Sequence, residues 1–229
     1  MTIFDLFDGL DRCAPGDADS LRRACGGLAP TASVLDAGCG TGADLPALLA
    51  LVPAGQVTAI DLAEPFIAAI RARLPQVRAE VADMTDPPGG PYDLIWSGGA
   101  IYGPGIRAAL AAWRGKLAPG GRVVFTDLVL RGRDVSPDVA DFFAAEGIPL
   151  RDVSGLQAEV AAAGWRCLDG FWLPDSAWDA YYLPLERRLD AMAVDPQTAE
   201  LVAGFRSEIA LWRHHGAEYG YHLIVAVPQ

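Results

Sequence analysis

Strand-like and helix-like patterns alternate along the chain from residue 33 to about residue 130. Five short apolar segments have the length and composition of buried strands: SVLDAG, QVTAID, VRAEVAD, YDLIWS and RVVFTDLVL. Three segments between them have helical periodicity: ADLPALLALV, AEPFIAAIRARL and GIRAALAAWRGKL. Since consecutive parallel strands are joined through crossover helices, this alternation predicts an α/β fold with a parallel sheet covered on both faces.

The second half of the chain departs from this alternation. SGLQAEVAAAG predicts a helix that ends at Gly164, WRCLDGFWL predicts a sixth strand, and EYGYHLIVAVPQ predicts a last strand. The aromatic, helix-patterned stretch between those two strands is far longer than an ordinary connection. We therefore predict one domain over residues 1–229. Its parts are N-terminal cap helices (1–30), a core (31–173 and 216–229) and a helical lid insert (174–215).

Composition narrows the class of protein. With 229 residues, 52% of them hydrophobic, the chain can bury a sizeable core. The 18 basic and 29 acidic residues give a formal charge of −11, which disfavours nucleic acid as a partner. The N-terminus lacks the basic region of a signal peptide, and the apolar runs are too short to span a bilayer. These features predict a cytoplasmic protein without a membrane partner.

The four cysteines predict neither a metal centre nor a disulfide framework. They form no CxxC pair and no Cys/His cluster at metal-ligand spacing. We interpret them as free thiols in a reducing compartment. They are Cys13, Cys25, Cys39 and Cys167.

The turn after the first strand, GCGTGA at 38–43, is a ligand-binding signature that fits two templates. As GxGxx(G/A), it matches the dinucleotide fingerprint of NAD-dependent oxidoreductases. With Asp36 two residues ahead of it, the turn is also an acid-x-GxGxG motif. In both cases, glycines let the backbone approach the ligand closely and adopt positive φ. The turn alone leaves the two cofactors open.

The residues around the turn favour the second template. Asp61 ends the second predicted strand, where a carboxylate can accept both hydroxyls of a ribose. With VADM, YDLIWS, LAPGGRVVFTD and a hydrophobic last strand, the turn closely resembles class I S-adenosylmethionine-dependent methyltransferases of the small-molecule type. The resemblance covers roughly residues 30–170 and the last strand. It implies a Rossmann-like, doubly wound, seven-stranded sheet with an antiparallel last strand. The helical insert that we predict between strands six and seven departs from the short hairpin of many related domains.

The resemblance also implies where S-adenosylmethionine binds. Asp61 holds the ribose, Asp83 accepts a hydrogen bond from the adenine amine, and the Met84 backbone N–H meets an adenine ring nitrogen. Asp86 is a rival for the role of Asp83, and Asp36 organises the glycine loop. The predicted cofactor-binding residues are Asp36, Gly38, Cys39, Gly40, Gly42, Asp61, Leu62, Asp83, Met84 and Ser97.

The loop WSGGAIYGPG follows the fourth predicted strand, where the strand order should reverse, and it is therefore expected to line the methyl-transfer site. Ser97 and Gly98 would lie at the methionyl end of the cofactor, and Ile101 and Tyr102 would face the acceptor. WSxGAIY is similar to a pattern in a subset of small-molecule methyltransferases in which an acid often fills the x. Gly98 at that position puts the role of the acid in doubt for this chain.

The aromatic insert supplies further candidates. Trp178, Tyr181 and Tyr182 fall within one helical turn, a spacing that favours packing onto the domain. A lid over the fourth-strand loop would nevertheless place a few aromatic residues at the acceptor. The predicted substrate-binding residues are Ile101, Tyr102, Trp178, Tyr182 and Tyr219.

The candidate catalytic residues are His214, His215 and Tyr102, because their side chains can transfer a proton. The alternative for the two histidines is a favourable interaction with the C-terminal end of a helix dipole. Arg187, Arg188 and Arg206 either clamp a carboxylate or phosphate of the substrate or pair with neighbouring acids.

Together these features predict in-line transfer of a methyl group from S-adenosylmethionine to a small metabolite or natural product. The leaving sulfur departs neutral, so the protein must mainly align the acceptor and exclude water. A base is needed only when the acceptor must first lose a proton. The alternatives are an NAD-dependent oxidoreductase and a non-catalytic cofactor-binding protein. Both a monomer and a homodimer are compatible with the sequence.

Overall fold

The computed structural model describes residues 6–192 and 198–229. Strands and helices alternate through the first half of the chain, and two long helices lie between the last two strands. The elements are α1 (Ala18–Cys25), β1 (Ser33–Ala37), α2 (Leu45–Leu51), β2 (Gln56–Asp61), α3 (Glu64–Arg73), β3 (Arg78–Val81), β4 (Tyr92–Ser97), α4 (Ile106–Arg114), β5 (Leu117–Leu130), α5 (Pro137–Ala145), α6 (Val153–Ala162), β6 (Trp165–Trp172), α7 (Asp175–Ala191), α8 (Ala199–His215) and β7 (Tyr219–Pro228).

The strands of the described residues form one seven-stranded sheet in the order β3-β2-β1-β4-β5-β7-β6. Strands β1 to β5 pair in parallel, whereas β7 runs antiparallel between β5 and β6. The strand order reverses between β1 and β4, which makes the sheet doubly wound. This topology confirms the predicted α/β, Rossmann-like fold with its antiparallel last strand and its helical insert between strands six and seven.

Neighbouring residues of the central strands pack on opposite faces of the sheet. Val34 belongs to an apolar cluster with side chains of α1, α2 and α3, whereas Leu35 belongs to one with side chains of α4 and α6. Both residues are fully buried. Because parallel strands are covered on both faces, SVLDA has no polar alternation, and its one acid, Asp36, must have a special role.

The helices begin where local chemistry favours them. Asp17 caps α1 by accepting a hydrogen bond from the Ser20 backbone N–H at 2.7 Å. Asp152 caps α6 in the same way through the Gly155 N–H at 2.9 Å. A proline occupies the first turn of α2 and of α3, where a backbone N–H has no partner within the helix.

A third apolar cluster attaches the insert helices to the sheet. Leu6 and Phe7 from the N-terminal segment pack there with α5, α7, α8 and the ends of β5 and β7. Residues 1–5 of the predicted cap and residues 193–197 of the predicted insert lie outside the described residues. The division of the chain into cap, core and lid stays a prediction.

Two elements differ from the sequence-based expectation. Strand β5 begins at Leu117 rather than Arg122, because APGG is absorbed as an irregularity in the pairing with β4: Tyr92 pairs with Leu117, and Leu94 pairs with Arg122. Helix α5 was not predicted, and it buries Val139 and Phe143 in the third cluster. No helix of the described residues is long and apolar enough to cross a membrane.

Candidate functional site

A cavity of about 700 Å³ lies at the carboxyl ends of β1, β2, β3 and β4. We call it the glycine-loop cavity. Its walls come from the segments that follow these four strands and from Arg12, Cys13 and Ala14 of the N-terminal segment. The carboxyl edge of a doubly wound sheet, at the point where strand order reverses, is the usual ligand site of this architecture.

The glycine loop after β1 has a backbone that other residues could not adopt without strain. Gly38, Gly40 and Gly42 have φ angles of 79°, 52° and 81°. A Cβ atom on Gly38 would lie 2.4 Å from the Cβ atom of Ala100. The loop is therefore pressed against the segment that follows β4, and only glycine fits at residue 38.

Asp61 joins the end of β2 to the glycine loop. Its Oδ2 atom accepts a hydrogen bond from the Gly40 N–H at 2.9 Å, and its Oδ1 atom accepts one from the Ala63 N–H at 2.9 Å. The carboxylate lines the cavity, and each oxygen retains a lone pair for a ligand hydroxyl. Leu62, which follows, is 72% exposed at the cavity wall.

Asp36 is buried in β1, yet its Oδ2 atom has no hydrogen-bond partner among the described residues. Burial raises the pKa of Asp36 well above its ordinary value, the negative charges of Asp44 and Asp61 add to that effect, and Arg12 opposes it. All four side chains line the same cavity. Three carboxyl groups and one guanidinium around the same cavity make a site that favours a positively charged ligand.

Asp44 was not predicted, although it occupies the centre of this cluster. Its carboxylate accepts hydrogen bonds from the indole N–H of Trp96, at 2.9 Å, and from Arg12. A Cβ atom on Gly98 would lie 2.9 Å from Asp44 Oδ2 and 3.1 Å from the Trp96 ring. The Asp44 carboxylate thus stands where a side chain at position 98 would project, which explains why the WSxGAIY segment carries glycine there. The signal in the sequence is the acid of GADLP, directly after the glycine turn.

Asp83 and Met84 line the cavity on the side of β3. Asp83 Oδ1 accepts hydrogen bonds from the backbone N–H and the hydroxyl of Thr85, both at 2.7 Å, and these bonds lower the pKa of Asp83. The Met84 carbonyl accepts a hydrogen bond from the Trp113 indole at 2.8 Å, which fixes the backbone at this position.

Two predicted cofactor residues lie behind the cavity wall. Ser97 is fully buried, and its hydroxyl donates to the Ala37 carbonyl at 2.8 Å, which joins β4 to β1. A Cβ atom on Gly42 would meet side chains of Leu45 and Ile70. Of the ten residues predicted to bind the cofactor, eight line the cavity: Asp36, Gly38, Cys39, Gly40, Asp61, Leu62, Asp83 and Met84.

A second cavity, of about 1020 Å³, lies between the sheet and the insert. We call it the insert cavity. Five residues line both cavities, so the two spaces adjoin: Cys13, Ala14, Phe66, Gly99 and Tyr102. Tyr102 is 64% exposed at this border.

Ten of the 25 described residues that line the insert cavity are aromatic. Trp178, Tyr182 and Tyr219, which were predicted to contact the substrate, all line it. Trp178 is held by the stacked ring of Trp212, with 3.7 Å between centroids. Ile101 is fully buried in the cluster beneath α4 and lines neither cavity.

The two predicted catalytic histidines line neither cavity. His214 is exposed, with Nδ1 2.7 Å from the Ala210 carbonyl in its own helix. His215 Nδ1 lies 2.7 Å from Glu218 Oε1 and 3.2 Å from the Ser136 hydroxyl. Both histidines belong to the last turn of α8, in keeping with the alternative interaction with the helix end.

The three arginines considered as a substrate clamp also lie outside both cavities. Arg188 donates to the Asp8 carbonyl at 2.6 Å, and Arg206 donates to Asp190 at 2.8 Å. Arg187 is exposed. Among the described residues, no three His, Cys, Asp or Glu side chains are arranged so that they could hold a metal ion.

Comparison with known proteins gives a match in the same region. Residues 34–121 match the family described as a methyltransferase domain. The chain is 30% identical over 192 residues to phosphoethanolamine N-methyltransferase 3 of Arabidopsis thaliana. The aligned region covers 79% of this chain and 37% of that protein. It is 36% identical over 106 residues to nocamycin O-methyltransferase of Saccharothrix syringae. This second alignment covers 42% of this chain and 38% of that protein. The chain thus spans less than two fifths of the length of either relative.

A solved structure shares the fold over nearly the whole length of both chains. It is a SAM-dependent methyltransferase from Geobacter sulfurreducens in complex with S-adenosyl-L-homocysteine. The TM-score is 0.79 at 19% identity, with 100% of this chain and 99% of the other covered. At that identity the likeness shows the shared fold.

Proposed function

We propose that the chain transfers the methyl group of S-adenosylmethionine to a small-molecule acceptor, on the premise that residues 34–121 match the methyltransferase domain family. The observation that carries the proposal is the glycine-loop cavity, with its carboxylate cluster, opening onto the insert cavity. One space would hold the methyl donor and the other the acceptor.

The residues of the glycine-loop cavity fit this cofactor. When bound, S-adenosylmethionine supplies an electrophilic methyl group on a positively charged sulfur. Asp61 would accept the ribose hydroxyls, and Asp83 with the Met84 backbone would hold the adenine. The unpartnered Oδ2 atom of Asp36 supports a positively charged group nearby, because a buried carboxylate oxygen without a partner is costly.

The chain's own contribution to the reaction is alignment. The walls shared by the two cavities, Gly99 and Tyr102 among them, would set the line along which the acceptor approaches the methyl group. The aromatic lining of the insert cavity would exclude water from that line. Tyr102 is the predicted catalytic residue that lines both cavities, and it would contact both ligands.

Binding of the co-product tests the donor half of this proposal. In calorimetric titrations, we expect S-adenosylhomocysteine and S-adenosylmethionine to bind the wild-type protein. Asp61→Asn should weaken binding by about tenfold or more, because a charged acceptor of ribose hydrogen bonds becomes neutral. Asp86→Asn is the matched control, since Asp86 is exposed and lines neither cavity, and it should leave the affinity unchanged.

Three outcomes would overturn the proposal. Absence of binding by either compound at millimolar concentration removes the methyl donor. Thermal stabilisation by NAD, without stabilisation by S-adenosylmethionine, supports the oxidoreductase alternative. Binding with no release of S-adenosylhomocysteine across an acceptor screen supports the non-catalytic alternative.

We also propose that the chain is a single domain of the cytoplasm, with residues 174–215 as a lid over the acceptor. The aromatic residues of α7 and α8 that line the insert cavity support the lid, and the four free cysteines support a reducing compartment. Cell fractionation tests the location, and light scattering distinguishes a monomer from a homodimer.

A further inference from the structure

The charges around the insert cavity are unbalanced. Its described lining includes five acids and no Lys, Arg or His. The segments outside the described residues, 1–5 and 193–197, also contain no Lys, Arg or His. The five acids are Asp127, Asp138, Glu146, Glu200 and Glu208.

Two of these acids already face a basic group. Asp127 accepts a hydrogen bond from Arg151, and Asp138 Oδ2 lies 3.5 Å from His215 Nε2. Glu146 and Glu200 are exposed, where water solvates them. Glu208 is the remaining acid of the five. Burial raises its pKa, and no basic side chain of the described residues forms an ion pair with it.

Glu208 is held among aromatic rings. Its Oε1 atom accepts a hydrogen bond from the Tyr182 hydroxyl at 2.8 Å, which joins α8 to α7. Tyr182 in turn lies against Tyr181, with 4.9 Å between ring centroids, and against Trp178, with 5.6 Å. Burial is the main cause that raises the pKa of Glu208, and the nearby charge of Glu146 adds to it. The cost of a carboxylate in such surroundings falls when a cation binds beside it.

Aromatic faces and a carboxylate recognise the same chemical group. The faces of Trp and Tyr rings attract cations through their quadrupole, and a carboxylate accepts charge-assisted hydrogen bonds from an ammonium. An anionic acceptor meets the opposite conditions, because no basic side chain in the described lining would bind its charge and the carboxylate of Glu208 would repel it.

We propose that the acceptor is a small organic amine that is positively charged at neutral pH, and that Glu208 binds its ammonium group within the cage of Trp178, Tyr181 and Tyr182. The inference rests on the proposed function, since it assigns a substrate class to the cavity beside the methyl donor. The Arabidopsis relative is named for a phosphorylated amine. The insert cavity has no described basic group for a phosphate, so a phosphorylated acceptor does not fit here.

Pairs of probes that differ in charge test this inference. The protein is first saturated with S-adenosylhomocysteine, and each probe is then titrated by calorimetry. The pairs are 2-phenylethylamine with 3-phenylpropionate, tryptamine with indole-3-propionate, and hexylamine with heptanoate. We expect at least one amine to bind, and its matched carboxylate to bind about tenfold more weakly or not at all.

Two variants locate the binding group. Glu208→Gln keeps a hydrogen-bonding side chain beside Tyr182 but removes the charge, and it should weaken amine binding by about tenfold. Its affinity for S-adenosylhomocysteine should equal that of the wild type, which shows that the variant is folded. The control, Glu64→Gln, removes an exposed carboxylate on α3 that lines neither cavity, and it should change neither affinity.

The results separate this inference from the proposal on which it rests. No binding of S-adenosylhomocysteine contradicts the proposed function. Binding of S-adenosylhomocysteine contradicts only the amine inference if no amine binds, if the carboxylates bind as tightly, or if phosphoethanolamine binds as tightly as the best amine. An unchanged amine affinity in Glu208→Gln also contradicts it.

Discussion

Gly38 is the residue at which the glycine loop touches the segment after β4. Replacing it by alanine introduces two separate costs, a side chain at φ 79° and a Cβ atom 2.4 Å from Ala100 Cβ. Gly120 provides a matched control, because it has φ 81° and no atom within 4 Å of the position its Cβ would take. The two substitutions therefore share the backbone strain and differ in the steric clash.

We expect Gly120→Ala to reduce the free energy of unfolding by about 1–2 kcal/mol, the cost of a left-handed conformation. Gly38→Ala should reduce it by about 1–3 kcal/mol more, because it also overpacks the loop. Gly38→Ala should in addition weaken binding of S-adenosylhomocysteine, whereas Gly120→Ala should not. Urea unfolding and calorimetry measure the two effects. Equal losses in the two variants would show that the contact with Ala100 relaxes without cost.

The sequence predicts residues whose role depends on their neighbours in the chain. Asp61 and the loop glycines lie at the ends of predicted strands or just after them, and the edge of the sheet brings them together. The contact between Arg12 and Asp44 joins positions 32 residues apart, and no periodicity or motif relates them. Ile101 was expected at the acceptor because its loop lies there, but its side chain turns into the core beneath α4. The course of a loop can be predicted more readily than the direction of each side chain on it.

Strand β7 carries a buried histidine in the middle of the sheet. His222 is 5% exposed, its Nδ1 atom has no partner among the described residues, and the edge of its ring meets Trp172 at 5.1 Å between centroids. Burial, together with the positive charge of Arg131, lowers the pKa of His222 to about 4, and the charge of Asp169 opposes both effects. The strand therefore holds this side chain in its neutral form.

The lowered pKa makes the fold sensitive to acid. Below about pH 6.5 the unfolded chain binds a proton at residue 222 that the folded chain does not bind until about pH 4, so stability falls through that range. We expect wild type to lose about 1.5 kcal/mol more than His222→Leu between pH 6.5 and pH 5, as measured by urea unfolding. Asp127, whose pKa burial raises to about 6, has the opposite effect, but it is present in both proteins. Parallel pH profiles of the two proteins would contradict this expectation.

Among the elements, strands and crossover helices were predictable because their apolar periods differ. The start of β5 was not, because proline and glycine in APGG indicate a turn when read locally, while pairing with β4 extends the strand through them. Helix α5 is short, and it is stabilised by packing on the third apolar cluster rather than by a strong local signal. Tertiary packing decided both features.

At the scale of the whole molecule, the formal charge of −11 acts on charged ligands. S-adenosylmethionine and S-adenosylhomocysteine differ by one methyl group and one positive charge. Salt screens electrostatic attraction, and its range falls from about 30 Å at 0.01 M to about 8 Å at 0.15 M. We therefore expect added salt to weaken binding of S-adenosylmethionine more than binding of S-adenosylhomocysteine. The ratio of the two dissociation constants, measured by calorimetry at both salt concentrations, tests this. A ratio that is independent of salt would show that the acidic surface does not contribute to donor binding.

The border between the two cavities is partly built from Cys13 and Ala14, which precede the first strand. A Cβ atom on Gly99 would lie 2.5 Å from the Ala14 Cβ atom, so this short stretch fixes the width of the passage. Under the proposed function, changes at Ala14 and Pro15 would therefore alter acceptor preference, while Asp61 and the glycine loop stay unchanged. Chimeras that exchange only this short stretch before the first strand are therefore a way to change selectivity with few substitutions.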